Sequence, residues 1–226
     1  MVSVLAFDSA GNGCSAAVLR DGKVAARRFA AMARGQSEQL LPMIETVLGE
    51  AGLAIGALDL IAVTVGPGAF TGLRIGIAAA RGLALASGVP ALGITSFAAV
   101  AAQVPRAARA GRALVVALDS RRAELYLQAF DASGVPLGDG ALVAPADLAR
   151  RVPAGPLLLA GDAAPALAAA LAARRPEIAP GSGIADAADV ARLAASAWRP
   201  GLRPAPPRPL YLRAPDITAP RPGPAG

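Results

Sequence analysis

Histidine is absent from this chain of 226 residues, and cysteine and lysine each occur once, as Cys14 and Lys23. Without histidine, neither a Ser–His or Cys–His catalytic pair nor a histidine-bound zinc or iron site can form. A single cysteine allows no intramolecular disulfide, which is typical of a reducing compartment. Carboxylates remain as potential magnesium ligands. We therefore expect neither a catalytic residue nor a metal site in the chain itself.

Long apolar runs are also missing, although 54% of the residues are hydrophobic. A membrane-spanning helix needs about 18 or more consecutive apolar residues. Residues 75–89 come nearest, and Arg81 interrupts them. The N-terminal sequence MVSVLAFDSAGNG has no basic segment of the kind that begins a secretory signal. These features predict a cytoplasmic protein that does not contact a membrane.

Acidic residues are outnumbered by lysine and arginine, 16 to 22. Most of the excess lies in residues 199–226, which hold five arginines and one aspartate, whereas residues 1–100 and 101–198 each carry a net charge of +1. The counts therefore indicate no basic face on the folded portions for direct nucleic-acid binding. A module that binds tRNA through its basic tail remains an alternative.

Strand-like and helix-like patterns alternate along the first half of the chain. Asp21-Gly22 between two apolar runs is a strong hairpin signal. Ser37 and Thr71 stand where an N-cap would begin a helix, and Gly88 stands where a helix would end. The pattern predicts strands at 2–8, 14–20, 23–30, 58–65 and 91–95, and helices at 37–51, 71–87 and 96–103.

A three-strand pattern occurs twice. LVVALDSRRAELYLQAFDASGVPL, from Leu114, has the layout of VLAFDSAGNGCSAAVLRDGKVAA, from Val4. Each is a strand ending in Asp-Ser, a turn, a second strand, an Asp/Gly turn and a third strand. The repeat predicts a duplicated fold, with an N-terminal domain at residues 1–104 and a smaller one at 105–198. After this meander we expect a short helical piece at 147–151, a strand at 156–160 and helices at 163–174 and 187–198, the last capped by Asp186.

The tail at residues 199–226 is rich in proline and arginine. Prolines at 204–209 exclude a helix or a central strand. Residues 210–212, Leu-Tyr-Leu, are apolar enough to dock on the body. Residues 219–226 are expected to be disordered.

The sharpest motif is GPGAFTGLRIG at residues 66–76, between a predicted strand and a predicted helix. Glycines before a helix N-terminus can present backbone amides to an anion. With the Asp-Ser pair at 8–9, the motif gives a candidate phosphate loop, which Arg74 could extend. Its residues are Asp8, Ser9, Gly66, Gly68, Thr71 and Gly72. A purely structural strand-to-helix turn explains the same glycines, and the Lys-Ser/Thr of a Walker A loop is missing.

The second half lacks the matching loop. Asp119-Ser120 is followed by Arg121-Arg122, where a phosphate loop would carry glycine, and only Gly161 matches a Gly-Gly-x-Ala adenosine motif. Two long side chains at that position would crowd a nucleotide, so we expect no tight ATP binding by the chain alone. A small-molecule or acyl kinase of the same fold remains an alternative because the Asp8 loop is intact.

GPGAFTGLRIG, together with FDSAGNGCSAAV, SEQLLPMIETVL, LDSRRAELYLQAF and PLYLR, resembles the TsaB (YeaZ) family. That family is the partner subunit in bacterial synthesis of threonylcarbamoyladenosine on tRNA. The resemblance implies an α/β, actin/Hsp70/sugar-kinase-like (ribonuclease H-like) duplicated two-domain fold and no transferase activity of its own. It also implies pairing with a TsaD-like catalytic subunit, work with a TsaE-like ATPase and homodimers when alone. tRNA would be reached only through the complex. The chain would have no cofactor of its own, and nucleotide or Mg²⁺ at the interface is left open.

The resemblance places the partner interface on the helices predicted at 37–51 and 71–87. Small residues on the second helix would let another helix approach closely. On the first helix, Leu41 and Leu48 are expected to face the sheet while Leu40 and Met43 reach outward, with Val47 able to serve either side; burial of the whole helix in one domain is the alternative. The candidate interface residues are Gln36, Leu40, Met43, Val47, Arg74, Ile75, Ala78, Ala79 and Gly82. Gln36 stands where relatives often have histidine.

Overall fold

Two five-stranded sheets form the framework of the computed structural model, which describes residues 2–181 and 183–213. The first sheet has the strand order β3-β2-β1-β4-β5 and the second has the order β10-β9-β6-β7-β8. The first five strands are β1 Ser3–Asp8, β2 Gly13–Arg20, β3 Lys23–Ala31, β4 Leu60–Gly66 and β5 Ala91–Thr95. The others are β6 Ala113–Asp119, β7 Leu125–Phe130, β8 Ala141–Val143, β9 Leu157–Ala160 and β10 Glu177–Ile178.

Helices cover both sheets and fill the space between them. They are α1 Gln36–Ala51, α2 Phe70–Ser87, α3 Ser96–Ala102, α4 Arg106–Arg109, α5 Leu148–Arg151, α6 Ala164–Ala170 and α7 Ala187–Ala197. Short 3₁₀ turns lie at Ile55–Ala57, Pro145–Asp147 and Ala172–Arg174. Within the described residues, no helix is both long enough and apolar enough to cross a membrane.

The first sheet starts with the predicted meander. β1 pairs antiparallel with β2, and β2 with β3, through a turn in which Asp21 and Gly22 both have positive φ. That conformation matches the twist of a hairpin and favours such residues. β4 and β5 then add in parallel, because α2 carries the chain back between them. The second sheet repeats the pattern, with β6 antiparallel to β7 and parallel to β9.

Alternate residues of the central strands face different cores, as a pleated strand requires. Leu5 and Phe7 of β1 pack beneath α1 and α2. Val4 and Ala6 face the opposite way, into a core that also takes Val116 of β6. The layers are therefore α1 and α2, the first sheet, α3 and α7, the second sheet, and α5 with α6.

The chain ranges 1–104 and 105–198 each enclose one sheet. Helix α7 crosses that division. α7 packs against β1 and β2 of the first sheet although it follows every strand of the second. Its N-cap is the predicted Asp186, whose side chain accepts a hydrogen bond from Ala188 N.

Several predicted details are wrong. Ser37 and Thr71 lie inside their helices, because Gly35 and Ala69 occupy the N-cap positions. The third strand of the second meander is Ala141–Val143, not the segment 135–137, which makes only an isolated bridge between Phe130 and Pro136. The helix predicted at 163–174 ends at Ala170 and continues as a 3₁₀ turn.

The start of the tail lies against the body. Residues 202–211 form neither helix nor strand, and the Leu210 amide donates to Val65 O at 2.7 Å. The Arg81 guanidinium donates to Pro207 O at 2.9 Å from Nε and 2.6 Å from Nη2. We call residues 207–213 the strap. The predicted disorder of residues 219–226 lies outside the described residues.

Candidate functional site

The glycine loop before α2 packs directly on the β1–β2 turn. A Cβ on Gly72 would lie 2.0 Å from Ser9 O, and one on Gly68 would lie 2.3 Å from Ala10 O. Only glycine permits backbones to approach so closely. The Ala69 amide donates to Ala10 O at 2.7 Å, and Ser9 Oγ donates to Gly72 O at 2.9 Å. These contacts support the interpretation as a structural turn.

Asp8 ends β1 in a fully buried position. One carboxylate oxygen accepts from Ala10 N at 3.2 Å and from the Thr64 hydroxyl. The other, Oδ2, has no hydrogen-bond partner among the described residues. Burial raises the pKa of Asp8 from 3.8 to about 6, against the lowering effect of those two hydrogen bonds. An enclosed carboxyl of this kind does not face a cleft where it could hold Mg²⁺, and residues 2–181 and 183–213 contain no cluster of three acidic or cysteine side chains suited to a metal.

Side chains from both halves close the space between the two Asp-Ser turns. Asp162 accepts from Asn12 Nδ2 at 3.1 Å and from Asp119 N at 2.9 Å. Arg121 extends across the same space and donates to the Asn12 side-chain oxygen. Burial raises the pKa of Asp162. Arg121 therefore lies where its long side chain would crowd a nucleotide, as the Arg121-Arg122 pair predicts.

The cavity that remains there has a volume of about 30 Å³, which corresponds to about one water molecule. The missing side chain of Gly161 does not enlarge this cavity. The space that its Cβ would take is filled by Ala117 O, which would lie 1.9 Å from it. A nucleotide does not fit unless the two halves separate. The kinase alternative requires such a site, so this arrangement opposes it.

An apolar face lies on the outside of α1 and α2. Ala78 and Gly82 are exposed on α2, and a Cβ added to Gly82 would meet nothing within 4 Å. Leu85 is 89% exposed and Leu41 of α1 is 50% exposed. We call these four residues the α1–α2 face. Large exposed apolar side chains beside small residues are typical of an interaction surface.

Part of the predicted interface points inward instead. Leu40 is 1% exposed, so the prediction that it reaches outward is wrong. Val47, for which both sides were predicted as open, is 0% exposed and faces inward. They share the buried stripe of α1 with Ile44, at the spacing that places side chains on one helical face. Leu41, expected against the sheet, takes the outer side. The sequence contained this information. Leu40, Ile44 and Val47 have the spacing i, i+4 and i+7 of one helical face, and that face leaves Leu41 outside.

The other predicted residues divide into two groups. Met43, Ile75 and Ala79 are partly buried and pack against the core under the two helices. Gln36 is partly buried, and its side-chain amide donates to Met32 O at 3.3 Å. Leu85 was not predicted as an interface residue. Its position near the C-terminal end of α2, among small residues, was the available signal.

A groove of about 830 Å³ lies between the first turns of α1 and α2 and the strap. Four arginines line it, and they are Arg34, Arg74, Arg121 and Arg213. The Phe70 ring of α2 stacks on Tyr211 of the strap, with centroids 5.5 Å apart. The Arg74 guanidinium lies 3.7 Å from the centre of the Phe70 ring. Of the candidate phosphate loop, Gly68, Thr71 and Gly72 border the groove, whereas Asp8, Ser9 and Gly66 do not.

Comparison with protein families matches residues 30–181 to the model for "TsaD: tRNA N6-adenosine threonylcarbamoyltransferase". The TsaB protein of Escherichia coli, named for tRNA threonylcarbamoyladenosine biosynthesis, is 37% identical over 123 residues. That match covers 54% of this chain and 52% of the relative, so the chain spans about half the length of this relative. An uncharacterized protein of Mycobacterium tuberculosis is 36% identical over 95% of this chain and 93% of its own length.

Comparison with solved structures gives a match along nearly the whole chain. YeaZ from Pseudomonas aeruginosa superposes with a TM-score of 0.79 and 30% identity, covering 94% of this chain and all of that one. An activator of 2-hydroxyisocaproyl-CoA dehydratase from Clostridium difficile, solved with bound ADPNP, has a TM-score of 0.52 at 12% identity. The second likeness concerns the fold alone, and it agrees with the predicted actin-like duplication.

Proposed function

This chain belongs to the TsaB (YeaZ) family, and from that membership we propose that it is a non-catalytic partner subunit in the synthesis of threonylcarbamoyladenosine on tRNA. It holds a TsaD-type catalytic subunit through the α1–α2 face. The proposal includes a TsaE-type ATPase in the same assembly, and this part rests on the sequence resemblance. Alone, the chain pairs with a second copy through the same face.

The observation that carries the proposal is the exposed α1–α2 face. Leu85 is 89% exposed and Leu41 is half exposed. Ala78 and Gly82 lie on the same side of α2 as Leu85 and leave room for a second helix. Burying apolar surface stabilises an interface by roughly 25 cal/mol for each Å² removed from water. Small residues let the two helix backbones come close enough to bury it.

The match to the TsaD family supports the choice of partner. Two proteins with the same fold present equivalent helices, so each can offer the same face to the other. Self-complementary contacts of this kind are the usual basis of twofold pairs. The same geometry accounts for a homodimer when the catalytic subunit is absent.

The absence of chemistry in the chain itself is supported by three observations. The sequence has no histidine, Asp8 is enclosed, and the cavity beside Asn12, Arg121 and Asp162 holds about 30 Å³. The subunit therefore acts by binding and holding its catalytic partner, without catalysing a step itself. Its α2 helix is fixed on the β1–β2 turn by Gly68 and Gly72, which gives the partner a rigid surface to bind.

The test compares charged substitutions on and off the face. Leu85→Glu and Gly82→Arg are expected to abolish co-elution with the TsaD-type subunit, because each places a charge in an apolar contact. Their thermal unfolding is expected to stay near that of the parent, since exposed substitutions usually change stability within about 0.5 kcal/mol. Val135→Glu is the matched control, because Val135 is 58% exposed in the second half.

Retained co-elution by both folded face variants would contradict the proposal, as the partner would then dock elsewhere. Loss of binding by the Val135→Glu control would contradict it too. Threonylcarbamoyl transfer to tRNA by the purified chain alone would contradict its non-catalytic part.

A further inference from the structure

The groove between α1, α2 and the strap concentrates positive charge that residue counts along the sequence do not reveal. Four of its lining residues are arginines and one, Asp119, is acidic. Arg213 is held by Glu124 at 3.1 Å, and Arg121 lies 3.8 Å from Asp119. Arg34 forms no hydrogen bond or ion pair with any residue in the described part of the chain, and it is exposed. A positive surplus therefore remains on a chain whose two halves are each almost neutral.

Two backbone amides of this groove are already engaged. The Ala69 amide is bonded to Ala10 O and the Leu73 amide to Ala69 O. The arginine side chains supply charged donors of their own. Arginine presents several donors in a planar fork that matches phosphate oxygens.

The aromatic pair adds a second kind of contact. Phe70 and Tyr211 are 49% and 44% exposed although they stack on each other. Arg74 covers the other face of Phe70, so the Tyr211 ring is the part of the pair that a further ring can stack on. Bases of unpaired nucleotides stack on such rings, and each stack contributes about 1–3 kcal/mol.

We propose that this groove binds tRNA directly, with its arginines on backbone phosphates and an unpaired base against the Phe70–Tyr211 pair. The inference rests on the proposed function, and it adds a direct RNA contact to the expectation that tRNA is reached only through the complex. An exposed groove of this kind suits an RNA strand that passes across the protein surface. A site for a free nucleotide normally buries most of its ligand, whereas Arg34, Arg74 and Arg121 are all exposed.

The experiment measures binding of an unmodified tRNA transcript to the purified complex of the full chain with its TsaD-type subunit, by fluorescence anisotropy at several salt concentrations. Arg34→Gln combined with Arg74→Gln removes two charges from the groove. Arg20→Gln combined with Arg192→Gln removes two charges elsewhere, from exposed arginines on β2 and α7. The two double variants therefore have the same net charge.

The groove variant is expected to bind tRNA roughly tenfold more weakly and to lower the salt slope by about 1.5, because each lost phosphate contact removes about 0.7–0.9 from it. The control variant is expected to keep both values. Tyr211→Leu is expected to weaken binding by about fivefold to a hundredfold with the salt slope unchanged, because stacking releases no counterions. If the double variant fails to assemble with the TsaD-type subunit, Arg34→Gln alone tests the inference. It is expected to lower the salt slope of tRNA binding by about 0.7–0.9.

Equal tRNA affinity and equal salt slope in the groove and control variants, with the complex intact, would overturn the inference and leave the proposed partner function standing. Binding of free ATP as tight as tRNA binding, lost in the same variants, would also overturn it and assign the groove to a nucleotide. Failure of the parent chain to assemble with the TsaD-type subunit would instead contradict the proposed function.

Discussion

Two glycines of one helix have opposite roles at the scale of the residue. Gly72 and Gly82 both lie in α2, and glycine is poor in a helix because it is flexible when unfolded. Gly72 is required, since its missing side chain admits the Ser9 carbonyl. Gly82 has open space where a side chain would go, so its role lies in what approaches from outside.

Alanine substitutions are expected to separate these roles. Gly72→Ala should lower the free energy of unfolding by about 3 kcal/mol or more, because the new methyl group meets backbone that cannot move aside easily. Gly82→Ala should raise it by about 0.5–1 kcal/mol, as is usual for alanine in an exposed helix. Urea denaturation of both variants measures the difference. A Gly72→Ala protein as stable as the parent would show that the loop does not pack as described.

The buried Asp8 carboxyl should make stability depend on pH. Its pKa is raised from 3.8 to about 6, so between those values the unfolded chain has lost a proton that the folded chain keeps. The contribution of Asp8 is therefore full below about pH 4 and is lost as pH rises through about 6, by about 3 kcal/mol in total.

The Asp8→Asn variant isolates this effect. Between pH 4 and pH 7, the free energy of unfolding of this variant should fall by about 2 kcal/mol less than that of the parent. Denaturant titrations at each pH give both values. Parallel pH profiles for the two proteins would mean that Asp8 does not keep its proton in the folded state.

At the scale of the element, the sequence predicted which segments are helices and strands better than it predicted which way they face. The period of α1 identified a helix. It did not show that Leu40 is buried and Leu41 exposed. Apolar residues occupy more than one stripe of this helix, so an apolar face results whichever of the two leucines points inward. Contact with β2 decides the matter, and that contact is not encoded locally.

The strap is the element whose attachment is easiest to weaken. Arg81→Ala removes both hydrogen bonds to Pro207 O, and a hydrogen bond from a charged group contributes about 1.5–3 kcal/mol. Hydrogen exchange of the Leu210 amide should become about tenfold faster or more, because the strap opens more often. Arg192→Ala, which removes an exposed ion pair to Asp189, is the control and should leave this rate unchanged. Unchanged exchange in Arg81→Ala would show that the strap is held by other contacts.

At the scale of the whole molecule, duplication was readable because both halves carry the same strand pattern around Asp8 and Asp119. The closure of the space between the Asp8 and Asp119 turns could be predicted only in part from the sequence. Arg121 and Arg122 indicated that a nucleotide would be crowded, but the bond from Arg121 to Asn12 joins residues 109 positions apart. The basic groove was not predicted at all, since its four arginines are scattered along the sequence.

The small volume between the halves leads to a prediction about ATP. Calorimetric titration of the isolated chain with Mg-ATP is expected to show no binding at micromolar concentrations, because about 30 Å³ is available and opening it would break the contacts among Asn12, Arg121 and Asp162. A low-micromolar dissociation constant for ATP with the partner absent would contradict this prediction.

The crossing of α7 to the first sheet also sets an order of events during synthesis. Strands β1 and β2 leave the ribosome early, yet Ala17 of β2 is covered by Ala187 and Ala188, which emerge only after the whole second sheet. At roughly 5–20 residues per second, the stretch from α3 to the end of α7 takes about 5–20 seconds to make. During that interval one apolar surface of the first sheet has no cover of its own. A nascent chain of this protein therefore exposes an apolar surface, of the kind that chaperones bind, until α7 is released.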